Sequence, residues 1–183
     1  MRRWVKISAG ASVAVLVLAA GAVLAGLHMA DRRMQRKVEV AVQPVAWRSD
    51  VQAVERGRYL YASRGCVDCH GANGAGHLFV NDGGLRIKGP NITSGPGGVV
   101  AGYRPEDWVR TIRHGVAPSG RPLLIMPSED YNRFTDDDLA ALVAHVRALP
   151  PARGDGAVID LPLPVRVLYG LGAIPDAASR IDH

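Results

Sequence analysis

The sequence predicts an all-α protein in two blocks, one membrane-spanning helix and a small helical domain wrapped around a bound group. Three observations carry that prediction. Ile7 to Ala30 form a run of 24 residues without Lys, Arg, Asp or Glu. Cys66-Val67-Asp68-Cys69-His70 stands in the middle of the chain. Around it, three segments carry helix-start chemistry followed by helical apolar spacing, at Asp50, Pro105 and Thr135.

The apolar run comes first in chain order. As a helix, Ile7–Ala30 spans roughly 36 Å at 1.5 Å per residue, enough to cross a hydrocarbon core of about 30 Å. Ala20-Gly21-Ala22 offers a signal-peptide cleavage site. The run continues past that site, longer than a signal core, and favours an uncleaved anchor over residues 1–30. Arg2, Arg3 and Lys6 precede the run, while Arg32, Arg33, Arg36 and Lys37 follow it. Positive charge therefore does not orient it.

Charge is unevenly placed. Of the net +5, residues 1–49 carry +6 and residues 50–183 carry −1. The basicity is juxtamembrane, suited to lipid phosphates. No basic patch is interleaved with aromatic residues, so no nucleic-acid partner is expected. Residues 31–49 read as a tether. Val38, Val40 and Val42 alternate with Glu39, Ala41 and Gln43 before Pro44, and nineteen residues reach about 60 Å fully stretched.

The globular block is expected over residues 50–151. Asp50 caps a first helix to Ser63, with Val51, Val54, Leu60 and Tyr61 for packing. Gly57 inside it costs about 1 kcal/mol against Ala, which points to a close helix crossing. Gly71 to Gly98 is glycine-rich and reads as loop. Pro105, Glu106 and Asp107 open a second helix whose apolar face is Trp108, Val109 and Ile112. Thr135 and Asp138 start a last helix with Leu139, Leu142, Val143 and Val146 inward. Asp136-Asp137-Asp138 is that helix's first turn, and no acid/base pair or nucleophile constellation is evident.

The Cys-x-x-Cys-His motif is the attachment site of a c-type haem. Each thiol adds to one vinyl group, and the two-residue spacing lets both sulfurs reach the porphyrin edge. His70 then falls beneath the iron as its axial ligand. A redox dithiol needs no trailing histidine. A structural zinc site needs four protein ligands, and the chain has only these two cysteines. One covalently bound haem c, with its iron, is the expected cofactor, and no cysteine remains for a disulfide. Haem c is attached on the outer side of the bacterial membrane. That orients the anchor with its N-terminus in the cytoplasm and the haem domain on the periplasmic side of the inner membrane.

The sixth iron ligand is open among Met126, His77, His114, His145 and His183. Met126-Pro127 lies in an ordered-looking loop before the last helix, which favours it. His114 next to Gly115 reads as a surface residue, and His145 as a packed interface residue.

From Glu55 to Pro151 the chain resembles the class I cytochrome c fold, and within it the membrane-associated cytochromes of bacterial dehydrogenases and respiratory chains. The resemblance rests on Gly57-Arg58-Tyr59-Leu60-Tyr61, the haem motif, Gly89-Pro90-Asn91-Ile92-Thr93 and Arg110-Thr111-Ile112-Arg113-His114-Gly115. It continues through Gly120-Arg121-Pro122-Leu123, Met126-Pro127 and the last helix. Relatives often carry three haem motifs, and this chain has one. They usually have an aromatic residue where His145 stands. The resemblance implies Met126 as distal ligand, the Pro90 carbonyl as acceptor for the His70 ring N–H, and Trp108 and Arg113 as propionate partners. Tyr131 is implied, more weakly, on the distal side.

The function so implied is electron transfer and not catalysis. One electron would pass from a quinol-oxidising complex or dehydrogenase to a terminal oxidase, a reaction centre or a soluble cytochrome. The other readings are a structural subunit of a respiratory supercomplex and a five-coordinate haem sensor or enzyme. Residues 152–183 form a proline-containing apolar extension, with Leu161, Leu163, Val165, Val167, Leu168, Leu171 and Ile174 among Pro162, Pro164 and Pro175. The prolines deny a long helix and permit an extended arm with one short turn around Val165–Leu171. That arm either folds back over the haem domain or docks onto a membrane partner.

Overall fold

The computed structural model describes residues 2–183, and the chain divides into two compact units. The first comprises the N-terminal residues to Arg36 together with Leu163–Pro175. The second comprises Lys37–Pro162 and Asp176–His183.

In the first unit, α1 runs Arg2–Gln35 and α7 runs Leu163–Gly170. α1 is long and apolar enough to cross a membrane. Its helix continues five residues past the apolar run, so Asp31–Gln35 are helical and not tether. The two helices pack where neither has bulk. A Cβ on Gly170 would collide with the backbone of Gly26, and one on Gly26 would meet Val167. Gly26 and Ala30, one turn apart on α1, are buried by this contact. Arg166 pairs with Asp31 at 2.8 Å.

In the second unit the helices are α2 (Val51–Ser63), α3 (Cys66–His70), α4 (Pro105–His114), α5 (Ser128–Tyr131) and α6 (Asp136–Ala148). The expected caps form. The Asp50 carboxylate accepts from Ala53 N at 2.9 Å, and the Thr135 hydroxyl accepts from Asp138 N at 3.1 Å. Leu60, Tyr61, Trp108, Val109, Ile112, Leu139, Leu142, Val143 and Val146 share one core. Val51, expected inside, is 78% exposed. As the first residue of α2 it lies before the turn that reaches α6. Gly57 sits at the α2–α6 crossing, where a Cβ would collide with the Ala141 carbonyl and the Cβ of His145. The His145 ring lies against Tyr61, centroids 5.3 Å apart.

The fold is mostly helical but not all-α. β1 (Leu78–Asp82), β2 (Leu85–Lys88) and β3 (Val158–Asp160) form an antiparallel sheet in that order. Two strands arise inside the stretch expected to be loop. Asp82 pairs with Leu85 across Gly83 and Gly84, whose φ values of 56° and 81° give the two-residue hairpin turn that needs glycine. The signal was present as Asp-Gly-Gly between short apolar runs.

The chain after Pro151 is fastened by buried Asn91 and Thr93. Asn91 Nδ2 donates to the Ala152 carbonyl at 2.8 Å, and Ala152 N donates to Thr93 Oγ1 at 3.0 Å. Residues 37–49, read as a tether, lie along the same unit. Val38 N donates to the Gly120 carbonyl at 2.9 Å, and Val45 is buried in the core.

Candidate functional site: a haem cavity

The second unit encloses a cavity of about 550 Å³, lined mainly by apolar side chains and within the range of cofactor pockets. Cys66, Cys69, His70, Pro90, Trp108 and Met126 all line it. The motif turn is set by glycine. Gly65 at φ 76° starts α3 and Gly71 at φ 74° ends it, so the two cysteines and His70 stand on one tight turn.

His70 is oriented by the next segment. Its Nδ1 lies 3.0 Å from the Pro90 carbonyl oxygen. A carbonyl has no proton to give, so Nδ1 donates and Nε2 keeps its lone pair. Burial holds the imidazole below its ordinary value despite that bond, which favours the neutral ring that ligates metals. The approach is close: a Cβ on Gly89 would collide with the Cys69 carbonyl. Burial pushes the Cys66 thiol up to about 11 and raises Cys69 as well. Reactive dithiols have lowered values, so the environment speaks against a redox pair.

Met126, which precedes α5, lines the same cavity. Of the residues weighed as sixth ligand, Met126 lines the cavity, whereas His77, His114, His145 and His183 are not in its wall. His145 packs on Tyr61 and His114 lies 3.0 Å from His183, ring nitrogen to ring nitrogen. Tyr131 also faces the cavity, its hydroxyl donating to the Arg64 carbonyl at 2.9 Å.

The two expected propionate partners part company. Trp108 is buried against the cavity and its indole Nε1 has no protein acceptor. A buried N–H of this kind calls for an acceptor, and a propionate is one. Arg113 is not in the cavity wall. Its Nη2 donates to the Phe134 carbonyl at 2.6 Å and pairs with Asp136 at 2.8 Å, while its buried Nε, like the Trp108 indole, has no protein acceptor. The guanidinium that lines the cavity is Arg121, in the Gly120-Arg121-Pro122-Leu123 loop. Lys88 lines it too, paired with Asp155 at 2.8 Å. The sequence named neither residue because nothing in its spacing says that these loops close over one space. The sheet supplies another wall through Phe79, Ile87 and Ile159.

Residues 52–146 match the family described as cytochrome C oxidase, cbb3-type, subunit III. The chain belongs to that family and is a c-type cytochrome. Among its relatives is the fructose dehydrogenase cytochrome subunit of Gluconobacter japonicus, 32% identical over 139 residues. That match covers 71% of this chain and 28% of the relative. The cytochrome c subunit of the quinone alcohol dehydrogenase of Gluconobacter oxydans (strain 621H) is 29% identical over 133 residues, 68% of this chain and 27% of the relative. The gluconate 2-dehydrogenase cytochrome c subunit of Pantoea cypripedii is 32% identical over 127 residues, 64% and 28%. The cytochrome thus spans little more than a quarter of the length of these relatives. Membership implies haem c and electron transfer. The paired sulfurs, the oriented imidazole, the apolar walls and the unpartnered Trp108 N–H fit that cofactor.

Proposed function

We propose that the chain is a membrane-anchored carrier of one electron, with a single haem c held by Cys66 and Cys69 and ligated by His70 and Met126. The observation that carries this reading is the shared cavity, in which both cysteines, His70 and Met126 are brought together from segments up to 60 positions apart. A haem held there supplies an iron that changes oxidation state by one electron. The Pro90 carbonyl fixes the imidazole plane and the donating nitrogen. Met126 and His70 would both ligate the iron, and a histidine–methionine pair would raise its potential relative to a bis-histidine pair. Trp108 and Arg121 hold the propionates. Arg113 acts one step back, binding α4 to the Phe134 turn.

The anchor is α1, uncleaved, in the bacterial inner membrane with the haem domain on the periplasmic side. Burial of Gly26 and Ala30 beneath α7 supports retention, because that part of α1 is packed against the rest of the chain. The donor is a quinol-oxidising complex or a dehydrogenase, in line with the names of the relatives, and the acceptor is an oxidase or another cytochrome.

Met126→Ala tests the reading. Haem remains covalently attached, while the iron becomes open to carbon monoxide and the ferric charge-transfer band of methionine ligation disappears. An unchanged reduced spectrum without carbon monoxide binding removes Met126 from the site.

A further inference from the structure

The tail helix α7 has two apolar faces, of which the first unit uses one. Val167 and Gly170 meet α1 at Gly26 and Ala30. Leu163, Leu168 and Leu171 stay 52%, 45% and 61% exposed. Pro164, Leu168 and Leu171, the last just past the end of α7, fall at i, i+4 and i+7 and form one exposed stripe, while Leu163 is the first residue of the helix and lies off it. Between Leu161 and Ile174 the only charged residue is Arg166, and it is paired with Asp31.

Where α7 is pinned decides what covers that stripe. Gly26 lies four residues, about 6 Å of helix rise, before Ala30 at the end of the apolar run. Interfacial helices bury their apolar face about 5–10 Å into the headgroup and acyl boundary. A helix packed on Gly26 and Ala30 therefore lies at that depth once α1 crosses the membrane. Charge agrees. Asp31 is paired with Arg166 at 2.8 Å, Arg33 lies over the Tyr169 ring at 5.0 Å, and Arg32 and Arg36 stand in the same short stretch of chain. The polar groups gather at the end of the apolar run, where lipid phosphates are.

We infer that α7 is a second membrane element, lying in the outer interface beside α1 with the stripe of Pro164, Leu168 and Leu171 in lipid. The inference rests on α1 being a membrane anchor, and its partner is the bilayer itself, not a protein. Lipid on both helices makes one continuous apolar surface of α1 and the tail.

The test uses the full haem-loaded chain in bilayers of phosphatidylethanolamine and phosphatidylglycerol, with no other protein. With Cys66 and Cys69 bonded to haem, a new cysteine is the only free thiol. Spin labels are placed at Val15→Cys on α1, Leu168→Cys and Leu171→Cys on α7, and Asp137→Cys on α6. Collision with oxygen, which dissolves in lipid, is compared with collision with a water-soluble nickel chelate. At Leu168 and Leu171 the oxygen-to-nickel ratio is expected to be several-fold above that at Asp137 and to approach that at Val15. A lipid-like ratio at Val15 with a water-like ratio at Leu168 and Leu171 overturns the inference and leaves the anchor standing. That outcome would mean the stripe faces water beside a spanning α1. A water-like ratio at Val15 fails the anchor reading, and the inference falls with it.

Discussion

The two walls of the haem cavity are built differently. On the His70 side the backbone is latticed. Gly76 N donates to the His70 carbonyl, His77 N to the Cys69 carbonyl and Gly71 N to the Val67 carbonyl, all within 3.0 Å. Tyr61 adds its hydroxyl to the Gly71 carbonyl at 2.6 Å, and Pro90 holds the ring. On the Met126 side, local bonds such as Ser128 N to the Met126 carbonyl at 2.9 Å are joined by contacts from the C-terminal segment. Leu123 N donates to the Gly115 carbonyl, Ala177 N donates to the Leu123 carbonyl, and Arg180 reaches Glu129. A wall held by near neighbours keeps its shape when distant segments loosen. A wall held by a C-terminal segment does not. The methionine side is therefore where the coordination should yield first, and opening there should leave the covalent attachment untouched.

The largest expected effect breaks the latticed wall. Gly89→Val places a branched side chain where even a Cβ meets the Cys69 carbonyl. Backbone cannot move aside as a flexible side chain can, so a cost of about 3 kcal/mol or more is expected. Holoprotein yield and the thermal midpoint measure it. A variant that loads haem and melts like the parent would mean that Gly89 is not held against Cys69.

A smaller effect should fall on the other wall. Ala177, Ala178 and Ile181 are buried in the second unit. Removing residues 176–183 exposes the surface beneath them, and losing Ile181 alone costs about 1.5–3 kcal/mol. If Met126 ligates the iron as proposed, the deletion makes carbon monoxide bind faster to the reduced protein while the attached haem is retained. If the deletion lowers stability while carbon monoxide kinetics stay unchanged, the C-terminal segment supports the domain without supporting Met126.

The same contrast explains what could be read from the sequence. Local chemistry was legible: the motif turn, the caps at Asp50 and Thr135, the α2–α6 crossing at Gly57 and the Pro90 acceptor all depend on near neighbours or on a familiar motif. Long-range closure was not. Nothing in the spacing of Arg121 distinguishes it from Arg113, yet one lines the cavity and the other binds Phe134 and Asp136. Asn91 and Thr93 were legible as part of a motif, but their use as a fastener for Ala152 depends on where the chain returns. The sheet is hidden in the sequence because abundant glycine around it reads as loop and masks the Asp-Gly-Gly turn signal. The tail was legible as apolar, and its division between α1, β2 and the Leu123 loop was not, since three short segments each choose a partner far away in sequence.

The smallest effect is one of pH, and it separates the walls without altering either. His114 ends α4, and its Nδ1 lies 3.0 Å from Nδ1 of His183, whose Nε2 donates to the Ala178 carbonyl at 3.1 Å. This contact ties the C-terminal segment to α4. Burial first, then His183, Arg113 and Arg110, hold His114 below its ordinary value. The unfolded chain protonates the ring at about pH 6.5, so it binds the proton more readily than the folded one. The buried ring therefore costs the fold nothing above about pH 6.5 and destabilises it as pH falls from there through the lower folded value, where the ring must take up its proton. Between pH 7 and pH 5 the thermal midpoint should drop and carbon monoxide binding should quicken, while the thioether attachment stays constant. His114→Gln removes the titrating ring and should flatten both curves over that range. Identical pH profiles for variant and parent would place the loosening elsewhere and leave the His114–His183 contact without influence on the methionine wall.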